Sequence, residues 1–229
     1  HNIPDIRAGR EPEVRHFATT GAKWARYPTS TLLSSNEYTR DTENNKGTAA
    51  MDARLQALLD KQEIYELIYA YCRAADRHDN ELMRSLYHED AIDEHGDFYT
   101  GPAMGFIDEL PNIQIPMLGL HHNVTTINLK LDGDYAEGEV YLIAFHKIDT
   151  DEGPVDLLIG GRYFDKYEKR EGVWKFAHRA IVADWANYHS PSISTLDETI
   201  VHGAKIGKPG AADPSYAFFK LFKRGASTQ

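Results

Sequence analysis

The sequence has a single cysteine, Cys72, in 229 residues, so an internal disulfide framework is excluded. The thiol falls among apolar residues. It reads as an inert core side chain and fits a reducing cytoplasm. Long apolar runs are missing, so nothing approaches a membrane-spanning helix, and nothing near the start reads as a signal peptide. Positive charge is in short supply: 25 Lys and Arg stand against 35 Asp and Glu, a formal net charge of −10. That balance argues against nucleic acid or an anionic membrane as the main partner. There are no internal repeats, and no HxH, HExxH or CxxC spacing, so a metal is not expected. No Ser or Cys nucleophile motif is present either, which points away from covalent catalysis.

What the chain does have is a strong helical stripe. In residues 51–79 the leucines Leu55, Leu58 and Leu59 lead into Ile64, Leu67, Ile68, Tyr71, Cys72 and Ala75 at spacings of three and four. Asp76 falls on the same stripe, whereas Arg73, Arg77 and His78 point elsewhere. A carboxylate on the apolar side of a helix is costly unless it is paired. Residues 1–50 carry no sustained period and read as a flexible leader or an arm, with Met51 a natural start of translation. After the long helix, Asp79 can cap a short helix carrying Leu82, Met83, Leu86 and Tyr87. A short strand pair is expected around 91–99, and Gly101-Pro102 opens a brief helix with Met104, Phe106, Ile107 and Leu110.

Strands follow. Residues 122–131 run to the turn Asp132-Gly133-Asp134 and return over 135–148; residues 155–168 and 173–185 form a second hairpin about Lys169–Gly172. Strand 135–148 is apolar on both parities, so helices should cover one face and another subunit the other. Asp213-Pro214 opens a short segment with Phe218, Phe219, Leu221 and Phe222. Helices first and a long antiparallel sheet after them define an α+β class. The expected division is an arm over 1–50, a domain over 51–190 and a tail over 191–229.

The histidines are the candidate chemistry. A register centred on Asp132–Asp134 sets residues 120–122 opposite 144–146, which brings His122 and His146 together. His146 shares its parity with Val140, Leu142 and Ala144, an interior face. Strict alternation separates His122 from Ile127, Leu129 and Leu131. Either a bulge intervenes or the strand buries both faces, so parity leaves His121 and His122 both open. An Asp beside an imidazole orients the ring, fixes its tautomer and stabilises the imidazolium formed on proton uptake. The plain alternative is a satisfied core Asp–His hydrogen bond. The clustered histidines could also be metal ligands with Asp76 and His178, but no ligand spacing supports it.

Four stretches together resemble the SnoaL-like branch of the nuclear transport factor 2-like superfamily over residues 52–190. They are YAYCRAADRHD, LYHEDA, LHHNVTTINLKLDGDYAEGEVYLIAFHK and LLIGGRYFDKYEKREGVWKFAHRAIVADW. The resemblance implies a cone-shaped α+β barrel, a curved antiparallel sheet wrapped on helices around an apolar pocket. Several members are cofactor-free lyases or isomerases, among them scytalone dehydratases, bile-acid dehydratases and hexachlorocyclohexane dehydrochlorinases. In such lyases an Asp ending the first long helix pairs with a His on the sheet, and Asp76 and His122 match them. His146 matches a second pocket His, and Arg179 an arginine of the dehydrochlorinase. The chain departs from the pattern at Tyr71, where the dehydrochlorinase has Lys, and at Ala75, where scytalone dehydratase has Tyr.

The expectation is a cofactor-independent lyase with Asp76 and His122 as its dyad and Tyr71 and His146 on the leaving group. His121, Arg179, Tyr87, Phe106 and Phe218 are candidate substrate-binding residues, with Phe218 and Phe222 as a lid. Its partner would be a hydrophobic aromatic or polycyclic small molecule, losing water or releasing formaldehyde as from a lignin-derived diaryl compound. A cytoplasmic homo-oligomer, dimer or trimer, is expected. The rivals are a ketosteroid-type isomerase and a non-catalytic binding or assembly subunit, such as the small subunit of a ring-hydroxylating oxygenase.

Overall fold

The structure is a computed structural model that describes residues 35–189 and 204–225, with side chains from residue 47. The chain divides into two compact units, residues 1–46 and 47–229. Of the first, only helical backbone from Ser35 is described, and residues 1–34 of the expected arm lie outside the described residues.

The long helix α1 spans Ser35–Asp76, so it begins well ahead of the apolar stripe. Its first turns (SNEYTRDTENNKG) are polar all round, which left no period to read. The stripe itself divides in two. Ile64, Leu67, Ile68, Tyr71 and Ala75 are buried as expected, but Leu55, Leu58 and Leu59 are exposed. The helix ends where His78 takes a left-handed φ of 48°, and the Asp79 N–H bonds back to the Ala74 carbonyl at 2.9 Å. Asp79 then caps α2 (Asn80–Ser85) by accepting from the Leu82 N–H at 3.2 Å.

Strand β1 (Tyr87–Glu94), strand β2 (Thr100–Pro102) and helix α3 (Ala103–Ile113) follow, and then four long strands: β3 (Met117–Asp132), β4 (Tyr135–Ile148), β5 (Val155–Arg170) and β6 (Val173–His189). They form one six-stranded sheet in the order β2-β1-β6-β5-β4-β3. Every pairing is antiparallel except β1 with β6, which is parallel. The β5–β6 loop has positive φ at both Glu171 and Gly172, the two-residue turn that matches strand twist. Register shifts at Val124/Thr126 in β3 and at Gly160/Gly161 in β5 bend the sheet. At Gly161 a Cβ would lie 2.3 Å from the Val182 carbonyl oxygen, so the second bend requires glycine there.

The core lies between the concave face of the sheet and α1, α2 and α3. Asp60 is a second buried carboxylate on α1. It accepts from the Trp174 indole N–H at 3.0 Å and from Lys169 Nζ at 2.8 Å. Burial alone would raise its pKa, but hydrogen bonds from Lys169, Trp174 and Gln56 outweigh burial and hold it below the usual carboxylate range. Asp60→Ala orphans the fully buried indole N–H, so a loss of about 1–3 kcal/mol is expected in urea denaturation.

The tail braces α1. Helix α4 (Pro214–Phe218) is capped by Asp213, which also lies 3.2 Å from Arg77. Tyr216 donates to Asp79 at 3.2 Å, and Arg73 sits over the Tyr216 and Phe222 rings.

Candidate active site

A cavity of about 480 Å³ opens between the sheet and the helices. Its wall is mostly apolar (Leu110, Ile113, Leu142, Ala144, Ile159 and Ile181 among others), with Tyr71, His95, Gln114, His122, His146 and Tyr163 as its main polar groups.

Asp76 and His122 meet at this wall. The carboxylate lies 2.6 Å from His122 Nδ1 and also accepts the His122 backbone N–H, at 3.1 and 3.2 Å to its two oxygens. Ring and backbone are held by one group, which leaves Nε2 as the ring nitrogen facing the cavity. The α1 stripe delivers Asp76 and the β3–β4 register delivers His122. Within that register His122 pairs with Ala144, and Leu120 pairs with His146. The bulge at Val124/Thr126 settles the parity question. On its near side Leu120, His122 and Val124 face in, and beyond it Ile127, Leu129 and Leu131 do. His121 therefore faces outward, exposed beside Asn123, and does not line the cavity.

The His146 ring meets the His122 ring edge-on, with centroids 5.8 Å apart. Burial, reinforced by His122, lowers its pKa from 6.5 to about 4, so it is neutral at pH 7. Unfolding restores the ordinary value, and the unfolded chain binds more protons between these limits. Stability from this site is therefore complete above about pH 6.5 and is lost as the pH falls towards 4. Between pH 7 and pH 5 the loss amounts to about 2 kcal/mol. It should vanish in His146→Leu when urea midpoints are compared at the two pH values.

Beneath the cavity Arg179 is fully buried. Its Nε and Nη2 each donate to Asp165 at 2.7 Å, and its guanidinium carbon lies 3.9, 4.0 and 4.2 Å from the ring centres of Tyr71, Tyr163 and Phe176. Burial opposes its charge, but Asp165 holds its pKa well above the ordinary value. Asp184, five residues on in β6, faces outward and pairs with Arg162 instead. Tyr71 lines the cavity, with its pKa raised by burial. Phe106 lines it as well. Arg179 and Tyr87 do not: Tyr87 is packed behind the wall with its hydroxyl donating to Asp93 at 2.8 Å. Phe218 is 70% exposed, and neither it nor Phe222 lines the cavity, because the tail packs on the Arg73 side of α1.

Sequence reasoning missed a second Asp–His pair. Asp93, fully buried on β1, bonds to His95 Nδ1, and the His95 ring lines the cavity stacked on Phe106 at 4.3 Å. Ala91 and Asp93 share the buried parity of β1, and His95 follows two residues on, a signal that could have exposed the pair. Tyr163 was also missed. Among the described residues, no group of three His, Cys, Asp or Glu side chains could hold a metal ion.

A curved sheet closed by helices over an apolar cavity, with a carboxylate–imidazole pair in its wall, defines a cone-shaped fold of the nuclear transport factor 2-like class. The SnoaL-like domain model matches residues 56–180, and the chain belongs to that family. Over 147 residues it is 30% identical to the gamma-hexachlorocyclohexane dehydrochlorinase of Sphingobium indicum, covering 60% of this chain and 86% of that one. The solved hexachlorocyclohexane dehydrochlorinase of Novosphingobium barchaimii superposes with a TM-score of 0.58 at 20% identity, covering 63% of this chain and 99% of the other. A putative scytalone dehydratase from Novosphingobium aromaticivorans gives 0.52 at 22% identity, covering 62% and 97%. These structures share the fold, and the resemblance read from sequence holds at the level of family and architecture.

Proposed function

We propose that the chain is a cofactor-independent lyase acting on a hydrophobic, hydroxylated aromatic substrate. The observation that carries this reading is the Asp76–His122 contact of 2.6 Å in the wall of a mostly apolar cavity. The dehydrochlorinase relative, named for an elimination, supports the same reaction class. His122 Nε2 takes a proton from carbon and Asp76 stabilises the imidazolium that results. The C–H electron pair becomes the new C=C bond as the neighbouring C–O bond breaks. Tyr71, kept protonated by burial, and neutral His146 hydrogen-bond the departing hydroxyl, which takes up the proton carried by His122 and leaves as water, restoring the neutral imidazole.

A lignin-derived diaryl compound bearing a CH2OH group is the variant that suits an apolar lining containing Tyr71, Phe106 and Tyr163. There His122 takes the hydroxyl proton, the C–C bond breaks to release formaldehyde, and its electron pair expels the neighbouring hydroxyl. On the same footing we place the protein in the cytoplasm. We also assign it to a homo-oligomer closed over the exposed outer-face residues Tyr141, Ile143, Phe164 and Trp185.

The test is mass spectrometry of the full chain incubated with a panel of hydroxylated aromatic and steroidal compounds. Loss of the mass of water, or of water with formaldehyde, is the expected result. An unchanged mass with an altered spectrum would instead identify an isomerase, and tight binding without turnover a binding module.

A further inference from the structure

The cavity contains a second carboxylate–imidazole pair that the proposed reaction does not use. Asp93 is completely buried and takes the Tyr87 hydroxyl on one oxygen and the His95 ring on the other, so both oxygens are engaged. His95 is held by its backbone, by Asp93 and by Phe106. Its backbone N–H donates to the Tyr99 carbonyl at 2.7 Å, its carbonyl accepts from Phe98, and its ring lies nearly parallel to Phe106 with 23° between the planes. Nδ1 is taken by Asp93, so Nε2 is the ring nitrogen left for the cavity. This repeats the Asp76–His122 arrangement with different elements. The His95 side chain is partly exposed and held in place, so its Nε2 presents a hydrogen-bonding group at a largely apolar wall that water or a polar group of a ligand can meet.

The two pairs stand far apart in the sheet. His95 follows β1 and His122 lies on β3, and β6, β5 and β4 run between them. Both histidines nevertheless line the one cavity, as do residues of β4, β5 and β6 between them. Between them the lining is mostly apolar (Leu110, Ile113, Leu142, Ile159 and Ile181), with Tyr163 and His146 among it.

We infer that the cavity binds an elongated, two-ended molecule, in which a rigid apolar body carries a hydrogen-bonding group at each end and His95 holds the end remote from His122. His95 is thus a specificity-determining contact that selects for a second hydroxyl or phenol. This refines the substrate class of the proposed lyase, but its test uses binding alone. It can therefore fail while the lyase reading stands, and stand if no turnover is found.

The probes are 4,4′-dihydroxybiphenyl and 4-hydroxybiphenyl, titrated calorimetrically into the full chain. A second hydrogen bond predicts that the diol binds about 3–10-fold more tightly than the monophenol. In His95→Asn the amide nitrogen occupies the place of Nδ1, keeping the bond to Asp93 while removing the cavity-facing nitrogen. The diol's advantage should then fall to the twofold expected from its symmetry, with monophenol affinity changed no more than about twofold. His95→Gln, whose amide reaches the place of Nε2, should recover part of it. In the native chain, the His95 Nε2 resonance should shift on adding the diol in a long-range 1H–15N spectrum, a readout that does not depend on the variants folding. Equal affinity for the two probes, failure of the diol to bind, or a diol advantage that survives His95→Asn with the Nε2 resonance unmoved would each overturn the inference.

Discussion

His122→Ala is expected to lower turnover about 10²–10⁴-fold, the range of a positioned general base, with little change in the folded structure. The relevant substrate is the compound that loses mass in the panel. Asp76→Asn should fall at least about 10²-fold for a different reason. The carboxylate holds both the His122 ring and the His122 backbone N–H. An amide can keep one of these contacts but cannot stabilise the imidazolium. The two residues act as one unit, so the double variant should be little worse than His122→Ala alone. Steady-state kinetics with circular dichroism as the folding control would show this. Near wild-type turnover in both single variants would mean that the pair is a structural hydrogen bond and that the base lies elsewhere.

The largest stability effect is expected at Arg179. Its guanidinium and the Asp165 carboxylate are both sealed from solvent and joined by two hydrogen bonds of 2.7 Å, with Tyr167 donating to the same carboxylate at 2.7 Å. Removing either partner strands the other charge in the core. Arg179→Met or Asp165→Asn should therefore each cost about 3–5 kcal/mol. Replacing both with apolar residues of similar volume should recover most of that loss, because neither ion is then left to desolvate alone. Urea denaturation of the single and double variants gives the comparison directly. Arg179 also underlies the Tyr71 and Tyr163 rings that line the cavity. The single variants should consequently weaken catalysis as well, through displacement of those rings rather than loss of a contact with substrate.

Much of this architecture was legible along the chain. The three-and-four spacing around Ile64–Ala75 placed Asp76 on a buried face, and its carboxylate is buried. The Asp132–Asp134 turn implied the β3–β4 register that brings His122 and His146 together. The Asp79 and Asp213 caps also stand where their local signals put them. Each of these rests on contacts within one element or between neighbours in sequence. The polar start of α1 was not legible because helix without an apolar face has no period, and the exposure of Leu55 and Leu58 shows that a period does not say where packing stops.

What the sequence alone determined was the family, the α+β class and the candidate pairing of Asp76 with a histidine of β3. Only the tertiary structure decided between His121 and His122, because a single extra residue at Val124/Thr126 resets strand parity and alternation cannot show which side of it faces the core. The structure also joined Arg179 to Asp165, a pairing set by the inward face of β5 and β6 that both residues occupy. And it brought His95 to the same cavity as His122, through the parallel contact of β1 with β6. Pairing between strands so distant in the chain is fixed by how the whole sheet closes on its helices, and no local pattern carries that information.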